Sequence, residues 1–267
     1  MKTRNRILVL ALLLSSSVTR AEDRVLRARS ALNIVDSSYV FSSSANVQGI
    51  GAFFKTRVVL FNPTPNPMTI NALLFAPTGA VGPQSVTLAP SETRVYENFL
   101  SDVFGYTGGA GIQLSESSSS RPFVVSAEVY AEGANGRFST AIVGMLMDDR
   151  VVRVSEAGLS ISAGLQVNAA NRANFGCSNA DNSSVSVQAD FYTSAGGTST
   201  PATSVILNLP ANGWQQMPVP VTDDQINIHF RSFGGGGPLG AYCYGVNVNN
   251  ASADGTSVPA VYVPPSQ

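Results

Sequence analysis

The chain alternates apolar and polar residues with a period of two along most of its length. Apolar side chains occupy every second position in MTINALLF (residues 68–75), in PFVVSAEVYA (122–131) and in QINIHF (225–230). Such alternation places one face of a strand against a core and the other face in water. Segments rich in turn residues, such as NPTPNP, SESSSSRP and GGGGP, interrupt the pattern every 8–15 residues or so, roughly as in sandwiches and barrels. The pattern therefore predicts an all-β protein with antiparallel sheets.

The same order of elements occurs twice. VVLFNPTPNPMTINALLF, from Val58, and FGCSNADNSSVSVQADFY, from Phe175, both contain a strand, a polar turn that begins with Asn, and a second strand; they start 117 positions apart. Farther along, SVTLAP matches VILNLP, and the strand that contains GIQL matches the one that contains QINI. An order preserved over about a hundred residues indicates an internal repeat. We predict two tandem antiparallel β-sandwich domains, Ig-like or jelly-roll-like, at residues 33–150 and 151–267.

Residues 1–21 have the layout of a secretory signal peptide. A basic start with Lys2, Arg4 and Arg6 precedes the apolar run ILVLALLL, and small residues follow it up to Ala21. The run is shorter than the roughly 20 residues of a membrane-spanning helix. We predict cleavage near Ala21, a lead-in at residues 22–32 that is either a short helix or unordered, and no membrane span. The mature protein is predicted to be secreted, periplasmic or at the cell surface.

The charge balance argues against nucleic acid as a partner. Residues 1–21 contain four basic and no acidic residues, so the remaining chain has 12 basic and 17 acidic residues and a net charge of −5. Affinity for nucleic acid depends largely on basic residues that neutralise phosphate groups, and this chain has no basic cluster. Charged residues make up 12% of the chain, about half the usual quarter, and hydrophobic residues make up 44%, enough for a core.

Three segments of the first half have a recognisable pattern: GAFFKTRVVLFNPTPNPMTI, VTLAPSETRVYENFLSDVFGYTGGAGIQL and RPFVVSAEVYAEGANGRFSTAI. They resemble an uncharacterised tandem β-sandwich repeat family of secreted bacterial proteins. The repeat of that family reads F-F-x-T-x-L-x-L-x-N-P, then T-L-x-P-G-x-T and L-F-G-x-x-G-x-G. The second half is similar to a companion pattern, R-x-N-x-G-x-x-N, at Arg172, Asn174, Gly176 and Asn179. The resemblance covers about residues 46–265 and implies a fold, and it brings no catalytic or binding residue with it.

Cys177 and Cys243 are the only cysteines, and the family pattern has plain apolar residues in their place. In the repeat alignment they correspond to Leu60 and Ala127, which lie on the apolar phase of their strands. Two inward cysteines in an exported chain predict a disulfide, and closing a loop of about 65 residues is worth roughly 4 kcal/mol. The alternative is a pair of buried reduced thiols. A metal site needs more ligands than these, and we predict neither a metal nor a cofactor.

Six polar and aromatic residues of the second half are candidate binding residues. If residues 226–231 and 239–246 pair as a hairpin across GGGGP, three residues of the first strand share a face with two tyrosines of the second. Such a face suits a glycan or a protein partner at the cell surface, and the alternative is an ordinary polar sheet face. A tryptophan after the LPANG turn suits stacking on a sugar, or else covers the end of the core. The six are Asn227, His229, Arg231, Tyr242, Tyr244 and Trp214.

The sequence contains no recognisable catalytic set. His229 is the only histidine, G-x-S-x-G does not occur, and GGGGPLG lacks the ending of a phosphate-binding loop. We therefore predict a non-enzymatic protein with a structural, adhesion or ligand-display role. The first alternative is a small-ligand or carbohydrate-binding protein with its site on the second domain or between the domains. The second is a hydrolase that uses scattered carboxylates such as Glu128, Asp190 and Asp223. Because lysines are few, unprotected strand edges predict self-association.

Overall fold

The computed structural model describes residues 37–133, 136–146, 159–195, 200–235 and 240–263. The predicted signal peptide and lead-in lie outside the described residues, as does most of the predicted domain boundary. All described residues belong to one compact unit. We use "first half" for residues 37–146 and "second half" for residues 159–263, and the division into two domains stays a prediction.

Within these residues the chain forms eighteen strands and one short helix, so the all-β prediction is confirmed. The first half contains β1 (Ser38–Gln48), β2 (Phe53–Phe61), β3 (Met68–Ala76), β4 (Gly79–Leu88), β5 (Thr93–Tyr96), β6 (Gly108–Glu116), β7 (Val124–Gly133), β8 (Gly136–Ile142) and β9 (Met145–Leu146). The second half contains β10 (Leu159–Val167), β11 (Asn171–Asn179), β12 (Val185–Thr193), β13 (Thr203–Leu209), β14 (Trp214–Pro218), β15 (Asp223–Gly235), β16 (Ala241–Asn249), β17 (Gly255–Pro259) and β18 (Val261–Val263).

The helix, α1 (Phe99–Phe104), was not expected from the sequence. It has six residues, too few for a 3.6-residue period to become visible. Phe99 and Leu100 are buried, and the chain leaves the helix through Gly105 in the left-handed conformation with φ of 61°. None of the helices in the part of the chain that the structure describes is long and apolar enough to cross a membrane.

The first half forms one antiparallel sheet with the strand order β4-β3-β6-β1-β2-β7-β8, in which β5 also pairs with β2 and β9 also pairs with β1. Strand β1 contains a bulge between Phe41 and Ser44. Its beginning pairs with β9, and its end, from Asn46 to Gln48, pairs with β2. Because bulges bend a strand, β1 can pass from the group β4-β3-β6 to the group formed by β2, β5, β7 and β8.

The second half repeats this pairing scheme. It contains a five-stranded sheet, β13-β12-β15-β10-β18, and a four-stranded sheet, β14-β11-β16-β17. Each strand pairs in the same way as the strand nine places earlier in the chain. The exception is that β1 pairs with β2, whereas β10 and β11 lie in separate sheets. The repeat seen in the sequence is therefore also a repeat of strand pairing.

Asn62 and Asn179, which begin the polar turns of the two matching segments of the repeat, make equivalent hydrogen bonds. Both side chains are buried. Each amide nitrogen donates to the carbonyl four residues ahead and to a carbonyl at the end of β4 or of β13, and each amide oxygen accepts from the N–H two residues ahead. The acceptor carbonyls are those of Asn66 and Ala89 for Asn62, at 2.8 and 3.0 Å, and of Ser183 and Pro210 for Asn179, both at 2.8 Å. The donors are the N–H groups of Thr64 and Asp181.

The two sheets of the second half share one core, to which β11, β12, β15 and β16 all contribute. The predicted disulfide is confirmed: Cys177 and Cys243 are bonded, lie directly opposite each other on β11 and β16, and are buried. The equivalent pair in the first half is Leu60 and Val125. The alignment of Cys243 with Ala127 was therefore wrong by two residues, a shift that keeps the same face of the strand.

Around β1, β3 and β6, the two halves meet through sheet faces that point away from their own cores. Trp214 of β14 and Ser178 of β11 both donate hydrogen bonds to the carbonyl of Ser42 on β1, at 3.1 and 3.0 Å. Glycines on β6 allow this approach, because a Cβ on Gly109 would lie 2.4 Å from the Trp214 ring, and a Cβ on Gly111 would lie 2.1 Å from the Ser178 hydroxyl oxygen. Around these contacts lies a buried apolar cluster that combines Val40, Phe75 and Met145 with Ala180, Trp214 and Tyr242.

Candidate functional site

The predicted hairpin of the second half is wrong. Strand β15 pairs with β10 and β12 in the five-stranded sheet, whereas β16 pairs with β11 and β17 in the four-stranded sheet. Asn227, His229 and Arg231 therefore do not share a face with Tyr242 and Tyr244. Neighbouring strands in sequence often pair, but here they contribute to opposite sides of one core, as in a Greek-key connection.

Tyr242, Tyr244 and Trp214 belong to the contact between the halves. Their exposed fractions are 0%, 1% and 9%. The Tyr244 hydroxyl accepts a hydrogen bond from the Trp214 indole at 3.1 Å and donates to Gln216 at 2.9 Å, and burial raises the pKa of this phenol. These aromatic residues bind the first half of the chain, so the predicted surface for a glycan does not form around them.

His229 and Arg231 lie on the outer face of the five-stranded sheet beside Asp190. Arg231 forms an ion pair with Asp190, whose side chain is almost fully buried. Burial raises the pKa of the Asp190 carboxyl, but its hydrogen bonds and Arg231 outweigh this and lower it. His229 packs on the ring of Tyr192 with centroids 4.3 Å apart, and burial lowers its pKa. The polar groups of this face are largely engaged with one another.

Asn227 completes the same face, and its side-chain oxygen accepts a hydrogen bond from the Gly164 N–H at 3.2 Å. The arrangement agrees with the simpler reading of an ordinary polar sheet face. A role in binding for Asn227, His229 and Arg231 stays a prediction.

The three carboxylates proposed for a hydrolase lie on different strands and have separate partners. Glu128 on β7 forms ion pairs with two arginines, Asp190 on β12 pairs with Arg231, and Asp223 on β15 accepts hydrogen bonds from the Ser194 hydroxyl at 2.9 Å. Among the described residues, no three His, Cys, Asp or Glu side chains are grouped so that they could hold a metal ion.

A cavity of about 380 Å³ lies between the two halves, and none of its lining residues was predicted as a site from the sequence. From the first half, β1, the β1–β2 turn, β7 and β8 contribute to it; from the second half, β11, β14, β16 and β17 contribute. Most lining side chains are apolar. A site between the domains was one of the alternative predictions from the sequence, without named lining residues.

The first wall consists of the core-facing positions of β7 and β8. Val129 lies opposite Thr140, and Ala131 lies opposite Phe138, so these side chains share one face. The small Ala131 leaves space there, and the second half covers this face of the first half. Ala131 also packs with Ala52 and Ala253 in a small apolar cluster.

The second wall is the outer face of the four-stranded sheet. Val246 and Val248 of β16 continue the row that begins with Tyr242 and Tyr244, and Pro218 lies opposite Asn174 on β14 and β11. A sequence signal for this wall does exist. In AYCYGVNVN the alternate positions of both phases are largely apolar, as expected for a strand with both faces buried.

The turn between β1 and β2 forms an apolar rim of the cavity. Val47 is 37% exposed and Ile50 is 76% exposed, and both line the opening. The turn is closed by a hydrogen bond from the Gly49 N–H to the Ala52 carbonyl at 2.9 Å. A Cβ at position 49 would lie 2.5 Å from the Phe54 ring, so a larger residue there requires the ring to move.

Arg172 of β11 is the only charged residue that lines the cavity in the described part of the chain. Its Nη1 donates to the side-chain oxygen of Asn250 at 3.1 Å, and burial lowers the pKa of the guanidinium. No ion pair between Arg172 and a carboxylate occurs within the described ranges. The charge therefore lies on an otherwise largely apolar wall with only a neutral amide as its partner.

The position equivalent to Arg172 in the first half is Lys55, and there the charge is neutralised. Lys55 forms an ion pair with Glu132 at 2.7 Å. The offset that relates Val125 to Cys243 relates Glu132 to Asn250, so an acid in the first half is replaced by an amide in the second. Comparison of the chain with protein-family models and with curated proteins finds no match.

Proposed function

We propose that the protein is a secreted, non-enzymatic protein made of two tandem β-sandwiches that binds a small, largely apolar molecule in the cavity between its halves. The cavity is the observation that carries the proposal: its volume of about 380 Å³ falls within the usual range of ligand sites, and its lining combines apolar walls with a few polar groups. The buried disulfide supports export to an oxidising compartment.

The size of the cavity limits the ligand. At the roughly 30 Å³ that a water molecule occupies in the liquid, about a dozen non-hydrogen atoms fill the space. At about 0.5 kcal/mol for each such atom, the binding free energy is about −6 kcal/mol, which corresponds to a Kd on the order of 10–100 μM. A straight-chain alcohol of this size, 1-decanol, is a suitable neutral probe.

The experiment is calorimetric titration of the mature protein with 1-decanol. We expect binding in this range for the native chain and loss of binding in Val246→Trp, which fills the cavity from the second wall. Val95→Trp is the matched control, because Val95 is exposed on β5 outside the cavity, so the same added volume leaves binding intact. Absence of binding to the native chain, or equal binding by both variants, would contradict the proposal.

A further inference from the structure

The difference between the partners of Arg172 and of Lys55 indicates which charge the ligand carries. Both residues are cations at the same place in the repeat, but only Lys55 has a carboxylate, Glu132, within ion-pair distance. Asn250 takes the place of that carboxylate in the second half and accepts one hydrogen bond from Arg172. In the second half the cation is therefore present and the acid is absent, and the uncompensated charge of Arg172 lines the cavity.

An uncompensated cation on an apolar wall favours an anion as its partner. The guanidinium has five N–H donors, and among the described residues Asn250 is the only acceptor that it reaches. Charge-assisted hydrogen bonds between a guanidinium and a carboxylate are roughly twice as strong as neutral ones, and a partly dry site strengthens them further. The fork of the guanidinium fits the two oxygens of a carboxylate.

We propose that the cavity takes an amphipathic monocarboxylic acid, with the carboxylate on Arg172 and the hydrocarbon chain between the apolar walls. This inference rests on the proposed function and names its ligand class. Other polar groups on this wall that suit the carboxylate are the amide of Asn174, two residues along β11 on the same face, and the side chains of Gln216 and Ser257. On the opposite wall Val129, Ala131 and Phe138 form an apolar surface beside the single hydroxyl of Thr140, which supports a hydrocarbon body.

The experiment compares decanoate with 1-decanol, which matches it in length and lacks the charge. For the native chain we expect decanoate to bind at least tenfold more tightly, which is about 1.4 kcal/mol. In Arg172→Gln the preference disappears while 1-decanol binding remains. Arg94→Gln is the matched control, since Arg94 pairs with Glu92 on the surface, and it keeps the preference.

Asn250→Asp provides a second and opposite test. It restores the acid that Glu132 supplies in the first half, so the new carboxylate competes for Arg172. We expect decanoate binding to weaken at least tenfold and 1-decanol binding to stay unchanged, and the unchanged binding shows that the cavity is intact.

The outcomes separate the two proposals. Equal affinities of the native chain for decanoate and 1-decanol would overturn the carboxylate inference and leave the proposed function standing. Absence of binding for both would overturn both. Inorganic phosphate or acetate that displaces decanoate at similar concentration would show that Arg172 is a simple anion site, and would also overturn the inference.

Discussion

At the level of single residues, charged side chains differ in how completely their hydrogen bonds and ion pairs are satisfied. Glu116, at the end of β6, has a side chain with no exposed surface and is held by Arg121 at 2.7 Å. Burial raises the pKa of this carboxyl, but hydrogen bonds from Ser118, from Arg121 and from the backbone N–H groups of Ser118 and Ser120 outweigh it, and the pKa falls to about 2. Glu116 is thus a satisfied structural charge, unlike Arg172.

The lowered pKa of Glu116 makes stability depend on pH in the acid range. Because the folded pKa lies below the ordinary value of 4.5, the stabilisation is fully present above about pH 4.5 and is lost as the pH falls toward 2. We expect an acid-induced loss of about 2.5 kcal/mol from this residue between pH 5.5 and pH 2.5, measured by urea unfolding at both values. Glu116→Gln should be less stable at pH 5.5 and lose less on acidification; equal pH dependence in both proteins would refute this assignment.

At the level of secondary-structure elements, the contact between the halves depends on side chains that are missing from β6. Gly109 faces the rigid Trp214 ring, and Gly111 faces the Ser178 hydroxyl. Strand β6 begins with GGAG, and the role of these glycines could not be predicted from the sequence. The alternation pattern of a single strand does not reveal that another sheet packs on its outer face.

A methyl group at Gly109 should therefore disturb the contact. We expect Gly109→Ala to lower the free energy of unfolding by about 2 kcal/mol, since the Trp214 ring or one of the strands must move. Urea denaturation measures the change. Gly234→Ala is the control, because a Cβ there meets no atom within 4 Å, and its effect should stay within about 0.5 kcal/mol. Similar losses in both variants would rule out a close contact at Gly109.

Strand positions and pairing partners differ in how well the sequence predicts them. Alternation located the strands, and the inward phase of Cys177 predicted a disulfide, because both depend on local periodicity and on one apolar face. The hairpin across GGGGP failed because sequence proximity does not decide whether β16 pairs with β15 or crosses to the other sheet. Tyr242 and Tyr244 were expected at the surface because the sequence does not reveal the contact between the halves. That contact explains why both faces of β16 are apolar.

At the level of the whole molecule, the repeat is the feature that the sequence predicted best, and the contact between the repeats is the feature that it did not. The cavity depends on that contact, so its lining could not be derived from either half alone. The replacement of Glu132 by Asn250 is visible in the sequence, but it gains meaning only once the register of β2 with β7 and of β11 with β16 is known.

The predicted self-association of the protein would take place through the edges of its sheets. Among the described residues, strand β18 ends the five-stranded sheet, with Val261 64% exposed and Val263 43% exposed. Exposed apolar side chains on an outer strand favour association with another chain. We expect reversible association of the native protein in sedimentation at high concentration, and a marked reduction in Val261→Lys. A native protein that remains monomeric throughout would contradict this expectation.

A cavity with one wall from each copy of the repeat has a consequence for how far the two copies are interchangeable. One copy alone has neither the space nor the opposed surfaces, so the cavity requires two copies beside each other in one chain. Under the carboxylate proposal, an amide at the position of Asn250 suits the copy whose cation faces the cavity. The equivalent change in the other copy, at Glu132, would leave Lys55 without its ion-pair partner.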